Sequence, residues 1–216
     1  DRFVENGFNY LLNKGTVYRD AHHAHANTET IVGHVTLATG THPSGHGMIG
    51  NIWYDRGLGK TVYNIEDAKY KLLTKGADVD KDTEIDPTQK AASVDGRSPN
   101  TINASTFSDE MVIASAGKAK IFGVSGKDRG AVAMAGHGGK ALWFSKASQE
   151  FVSSDYYYQQ YPHWVTNWND KKFPASYSNK KWQLLNKKST YMFAVDDDKA
   201  WEADLAGYGR AFPHSF

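Results

Sequence analysis

The chain has 216 residues, with 25 Lys and Arg against 24 Asp and Glu, 40% hydrophobic residues, 13% aromatics and no cysteine. A net charge of +1 gives no general electrostatic reason to bind nucleic acid, whose partners carry a strongly basic face, so any anion has to be held by a local site. Without cysteine there are no disulfides, thiolate-ligated metals or thiol nucleophiles, and no apolar run approaches the length needed to span a bilayer.

In chain order, Phe8, Leu11 and Leu12 stand at helical spacing and Gly15 marks a stop, which predicts a first helix. No strand precedes it, and there is neither an initiating Met nor a signal peptide, so the expectation is a fragment or one chain of a cleaved protein. Thr16–Tyr18 reads as a short β-like stretch, followed by a loop containing His22, His23 and His25. Thr30 to Thr39 reads as a helix with Ile31, Val35 and Ala38 on one face and Gly40 just past its end. The segment from Gly40 to Gly59, rich in Gly, Pro, His and Asn, is expected to be an ordered loop.

Residues 65–100 are polar and charged and read as a surface insertion. Within them Asp78, Asp80, Asp82, Glu84 and Asp86 alternate with other residues as in a calcium loop. Thr83 stands where that loop needs Gly and Gln89 where it needs Glu, so a solvated loop is expected. Thr106, with Asp109 three residues later, predicts a capped helix to Ser115. Ala119–Val124 suits a buried parallel strand, with Lys127 and Arg129 at its carboxyl end, where ligands bind in open α/β sheets. Ala131–Ala135 and Ala141–Phe144 read as further strands. Tyr156, Tyr157, Tyr158, Tyr161, Trp164 and Trp168 either line a cleft or form an aromatic lid packed on the sheet, the second being favoured. Asn103-Ala104-Ser105 is a glycosylation triplet of a kind that occurs often by chance.

Three polar clusters have no evident packing purpose. Thr30 at a helix N-terminus faces unpaired N–H groups and the positive end of the helix dipole, which favour an alkoxide or a bound phosphate, so it is a candidate nucleophile. Lys127 and Arg129, two residues apart, can reach one anion, the arginine with a planar fork and the lysine as a point charge. Asn51 adds a neutral amide donor. Taken singly, Thr30 reads as an N-cap, Asn51 as a turn residue and the two cations as surface charges.

The run from Thr30 through Gly33-His34, Thr39-Gly40, Pro43, His46-Gly47 and Gly50-Asn51 to Trp53-Tyr54-Asp55 resembles the alkaline phosphatase superfamily, at the threonine-nucleophile bacterial phosphatases related to nucleotide pyrophosphatase/phosphodiesterases. Every fixed position of T-x-x-G-H-x-x-x-x-T-G-x-x-P-x-x-H-G-x-x-G-N-x-W-Y-D is kept. Asn6–Gly15, Ser125-Gly126-Lys127-Asp128-Arg129-Gly130-Ala131, Phe151–Tyr157 and Pro162–Asn169 are similar to further family blocks. The resemblance implies a three-layer α/β/α sandwich with a largely parallel sheet, of which residues 1–216 form part of one catalytic domain. It implies that Thr30 attacks phosphorus and forms a phospho-threonine intermediate, and that Asn51, Lys127 and Arg129 hold the non-bridging oxygens. Two zinc ions are implied, with Thr30 as the one ligand this chain contains; the remaining ligands match segments before Asp1 and after Phe216, so a second polypeptide or a missing segment is expected to complete the site.

The resulting expectation is metal-dependent hydrolysis of a small phosphomonoester in the periplasm or outside the cell, with no nucleic-acid partner. The preference for monoesters rests on Lys127 and Arg129, which can neutralise the extra anionic oxygen of a monoester. The alternatives are a phosphodiesterase or nucleotide pyrophosphatase, and a non-catalytic subunit or fragment lacking the metal site. His22, His23 and His25 offer a rival metal pair by spacing, but the resemblance places no ligand there. His34 and His46 read as packing and loop-bonding residues.

Overall fold

Helix α1 (Phe8–Lys14) ends at Gly15 as its spacing predicts, yet it buries none of its residues: Phe8, Leu11 and Leu12 are all exposed. Residues 3–192, 197–204 and 208–215 are described by the computed structural model. Thr16–Tyr18, expected as β-like, has no strand partner and is irregular. Helix α2 (Thr30–Thr39) buries Ile31, Val32, Val35 and Ala38 and stops at Gly40, whose φ of 67° is left-handed and open to glycine without strain. The expected loop from Gly40 to Gly59 contains regular structure instead. Pro43 presets the first turn of the short helix α3 (Pro43–His46), and Ile52–Asp55 forms β1, paired antiparallel with β2 (Lys60–Tyr63).

Residues 65–100 contain the short helix α4 (Pro87–Lys90), and they do not lie wholly on the surface. Ile65, Ala77, Ala92 and Arg97 are buried from this segment. Its carboxylates go to separate partners: Asp78 to Arg97, Glu84 to Lys146, and Asp86 to Lys127 and Arg129, while Arg97 also bonds Asp128 further along the chain. Helix α5 (Phe107–Ala114) begins at the predicted capping box, with Thr106 Oγ1 accepting from Asp109 N–H and Asp109 accepting from Thr106 N–H.

The central unit runs from β3 (Phe122–Ser125) through α6 (Asp128–Ala135) to β4 (Lys140–Ser145), with β3 and β4 parallel. Ala131–Ala135, expected as a strand, is helical. A short run of small apolar residues fits either period, and Asp128 in the first turn together with Gly136 at the end frames a helix. The helix lies so close to β3 that a Cβ on Gly123 would stand 2.2 Å from the Ala131 carbonyl oxygen. Strand β3 is half exposed rather than buried, with Phe122 and Val124 on its open face. Strand β5 (Glu150–Val152) returns antiparallel to β4, giving a mixed three-stranded sheet in the order β3-β4-β5. Helix α7 (His163–Asn169) follows, and β6 (Lys181–Trp182) pairs with β7 (His214–Ser215).

The core gathers Ile31, Val32 and Val35 of α2, Tyr63 of β2, Ala131 and Val132 of α6, Trp143 of β4 and Tyr157. The aromatics after β5 take the lid-like alternative: Trp168 packs on Phe151 of β5, which also meets Phe144, Trp164 packs on Phe122, and the hydroxyls of Tyr156 and Tyr157 donate to the His137 and Gly136 carbonyls.

Candidate active site

Thr30 is the first residue of α2 and is exposed, and among the described residues no group is hydrogen-bonded to its hydroxyl. Its carbonyl accepts from His34 Nδ1 at 2.6 Å. The residue before it, Glu29, provides no side-chain cap for α2. The cap comes from far along the chain, because Asn51 Oδ1 accepts the Ile31 N–H at 3.1 Å. Glu29 Oε2 in return accepts the Asn51 N–H, and Asn27 donates to the Ile49 carbonyl at 2.6 Å, so the approaches to α2 and β1 are stitched together. The Asn51 carbonyl takes two donors from Asn64. Every acceptor of Asn51 is therefore fixed, while its side-chain NH2 has no partner among the described residues: a donor held in one orientation.

Lys127 is the N-cap of α6 and Arg129 lies in its first turn, at the carboxyl end of β3 where the sequence places them. Lys127 Nζ and Arg129 Nη2 approach the same atom, Asp86 Oδ2, at 2.6 and 2.8 Å. Arg129 Nη1 donates to Thr88 Oγ1 at 2.9 Å. Asp86 caps α4, its other oxygen accepting from the Thr88 N–H at 2.9 Å and the Thr88 hydroxyl at 2.6 Å. Burial alone would raise the Asp86 pKa, but the bonds from Lys127, Thr88 and Arg129 outweigh it and hold the carboxyl far below the usual range. Arg129 is buried, whereas 39% of the Lys127 side chain is open to solvent.

Between the two cations, Asp128 points inward. It is fully buried and accepts from Arg97 Nε at 2.7 Å, Tyr63 at 2.7 Å and Gln89 at 3.2 Å. Desolvation opposes its ionisation, and the Arg97 charge with these donors reverses that, keeping it a carboxylate. The phenol of Tyr63 is pushed well up by burial and by the charge of Asp128, so it stays a donor. These contacts fix the start of α6 from inside the protein.

The Thr30–Asn51 and Lys127–Arg129 pairs are joined by two routes. Helices α2 and α6 pack together, and a Cβ on Gly130 would stand 3.9 Å from His34 Nε2, one turn into α2. Tyr63, bonded to Asp128, is followed by Asn64, bonded to Asn51. The second turn of α2, at His34, thus meets the first turn of α6, at Gly130.

The histidines fall elsewhere. His22 bonds Asp20, and the rings of His23 and His42 lie 5.0 and 6.3 Å from that of His25. The His25 pKa is lowered by desolvation and by its two histidine neighbours. His46 is buried and bonded to Thr36 and to the Met48 N–H. Among the described residues no three His, Asp or Glu side chains are placed to share a metal ion.

Asp86 and Thr88 were not among the residues singled out in the sequence for a site role. Asp-Pro-Thr carried a signal, since an N-cap acid followed by Pro at the first helical position marks an ordered turn. That signal locates a turn without revealing what the acid bonds.

The type I phosphodiesterase / nucleotide pyrophosphatase family matches residues 2–203. Alkaline phosphatase PafA of Elizabethkingia meningoseptica is 32% identical over 94% of this chain and 35% of its own length. Alkaline phosphatase PhoV of Synechococcus elongatus is 33% identical over 100% of this chain and 37% of its own. The chain thus spans little more than a third of these relatives. Its fold is that of the crystal structure of PafA, with a TM-score of 0.83 and 32% identity over 99% of this chain and 39% of that one. It is equally similar in fold, at 29% identity, to a PafA variant in which one threonine, one asparagine, one lysine and one arginine are replaced. There the threonine and asparagine are as far apart in sequence as Thr30 and Asn51, and the lysine and arginine as far apart as Lys127 and Arg129. No helix among the described residues is long and apolar enough to cross a membrane.

Proposed function

Since the chain belongs to the type I phosphodiesterase / nucleotide pyrophosphatase family, we propose that it supplies the nucleophile and phosphate-holding half of a phosphomonoesterase site. Thr30 Oγ1 gives up its proton and attacks phosphorus in line, forming an O–P bond as the ester P–O bond breaks; the leaving alkoxide takes up a proton and departs as the alcohol, and water then splits the Thr30–phosphate bond, restoring the hydroxyl and releasing phosphate. Asn51 and the two cations hold the non-bridging oxygens, where the transition state gains from fixed donors. The observation that carries this reading is the convergence of Lys127 and Arg129 on one oxygen of Asp86. It supports their capacity to share an oxyanion. Asp86 uses one N–H of each terminal group, so two Lys127 hydrogens and one on Arg129 Nη2 are left for a substrate.

Metal dependence is part of the proposal. Thr30 offers one oxygen ligand, and among the described residues the other donors do not by themselves fit two zinc ions. The remaining ligands would come from residues outside the chain, in the same or a second polypeptide, and no step here is derived through them. A bound metal would supply activation of a hydroxyl that is otherwise weakly nucleophilic at neutral pH. Periplasmic or extracellular placement rests on the family resemblance alone.

The test is the double variant Lys127→Ala/Arg129→Ala in the full-length, metal-loaded protein, assayed on a phosphomonoester and a phosphodiester. Each lost charge-assisted bond to a transition-state oxyanion is worth about two orders of magnitude in rate. Monoester turnover should fall by at least about a hundredfold and diester turnover far less. Equal loss of both in a folded protein would leave a general phosphoesterase or nucleotide pyrophosphatase. Unchanged activity on both would remove the cations from the site.

A further inference from the structure

We propose that Asp86 is a positioning residue for the Lys127–Arg129 pair, holding the two cations side by side so that their free N–H groups meet the same phosphoryl group. The inference rests on that pair being the phosphate clamp. Two adjacent like charges repel, and the lysine stem has four rotatable carbons, so neither keeps a shared orientation without an anion between them. Asp86 Oδ2 is that anion, 2.6 Å from Lys127 Nζ and 2.8 Å from Arg129 Nη2.

The carboxylate is itself held. Its Oδ1 accepts two bonds from Thr88, and the Thr88 hydroxyl, while donating to Asp86, accepts from Arg129 Nη1. The Arg129 guanidinium is consequently fixed at both terminal nitrogens, by Asp86 and Thr88, on one face of α4. Lys127, more open to solvent, depends on Asp86 alone among the described residues. One carboxylate also cancels one of two positive charges, leaving a clamp of net +1 facing the substrate. Asp86 stands outside the substrate's own contacts and acts through the cations.

The experiment is a double-mutant cycle in the full-length, metal-loaded protein, using one phosphomonoester, one phosphodiester and inhibition by inorganic phosphate. Asp86→Asn presents an NH2 where the cations need an acceptor. It should lower monoester kcat/KM by about ten- to a hundredfold, the size of effect that a misplacement of about 1 Å produces, and weaken phosphate inhibition in step. Diester turnover should change less than about threefold, and Asp86→Glu should recover part of the loss. In a Lys127→Ala/Arg129→Ala background, Asp86→Asn should cost nothing further, because its effect passes through groups no longer present.

Thr88→Val, isosteric and uncharged, gives the same pattern at smaller size and serves if Asp86→Asn does not fold. A monoester loss that persists in the double background, equal losses on both esters, or tighter phosphate inhibition in Asp86→Asn would each overturn the proposal. If Lys127→Ala/Arg129→Ala itself leaves the monoester rate unchanged, the clamp reading fails first. If that variant loses activity while Asp86→Asn and Thr88→Val do not, only the role of Asp86 is wrong.

Discussion

Asn51 joins local folding to the proposed chemistry in one side chain. Its Oδ1 closes the open N-terminus of α2 through the Ile31 N–H, which turns its NH2 away from the helix as a donor. Asn51→Asp separates these two functions, keeping the acceptor and losing the donor. The variant is expected to melt within a few degrees of the wild type while phosphate inhibition and monoester turnover fall by at least about tenfold. Asn51→Ala is expected to lose both, with about 1 kcal/mol of stability gone with the cap. Thermal melts beside kinetics check both, and equal activity of wild type and Asn51→Asp would remove the donor role. At this scale, Thr30, Asn51, Lys127 and Arg129 stand out in the sequence as candidates because each lies in a contiguous or nearly contiguous motif. Asp86 is not, since its meaning lies in two cations 41 and 43 residues away. Beside Asp78, Asp80 and Asp82 it reads as one more solvated acid.

Elements were legible where one signal dominated. Helix α2 has an apolar stripe and a terminal glycine, and α5 has a capping box; both stand where expected. Helix α6 was obscured because Ala131–Ala135 is too short to display a period, and only packing against β3 and β4 decides it. Helix α3 hid in a Gly- and Pro-rich stretch, and its last residue, His46, is expected to make stability depend on pH. His46 Nδ1 accepts the Met48 N–H, so that nitrogen is unprotonated, and Nε2 meets the Thr36 hydroxyl. Burial, then the neighbouring His25, lowers its pKa below 6.5. The unfolded chain therefore takes up a proton that the folded chain resists. The stability is complete above about pH 6.5 and is lost as pH falls through the folded value. A melt series from pH 8 to 5 is expected to show falling stability below about 6.5, and His46→Gln a shallower decline. His25, lowered likewise, contributes with the same sign and leaves a residual slope. A steeper decline in His46→Gln would contradict the assignment.

At the scale of the whole molecule, the family resemblance together with the alternation of helix and strand signals points to the α/β class, which the PafA comparison bears out. The sheet within this chain is mixed, since β5 turns back on β4 after the parallel pair β3–β4. That reversal follows from a tight turn at Ser145–Glu150, with Gln149 at a φ of 57°, a feature the apolar pattern of the strands does not encode. The buried charges Arg97 and Asp128 and the half-buried Asp86 tie residues 65–100 to the start of α6, so the polar segment that reads as an insertion also braces the proposed site. Thr30, at the head of α2, is proposed as the nucleophile that takes up the phosphoryl group. The most direct measurement is rapid acid quench of the full-length, metal-loaded protein turning over a phosphomonoester, followed by peptide mass spectrometry. The account predicts one phosphate on the Thr30 hydroxyl in the wild type and none in Thr30→Ala, which should also lose most turnover. Phosphate found on another residue, or Thr30→Ala labelled at the wild-type rate, would contradict it.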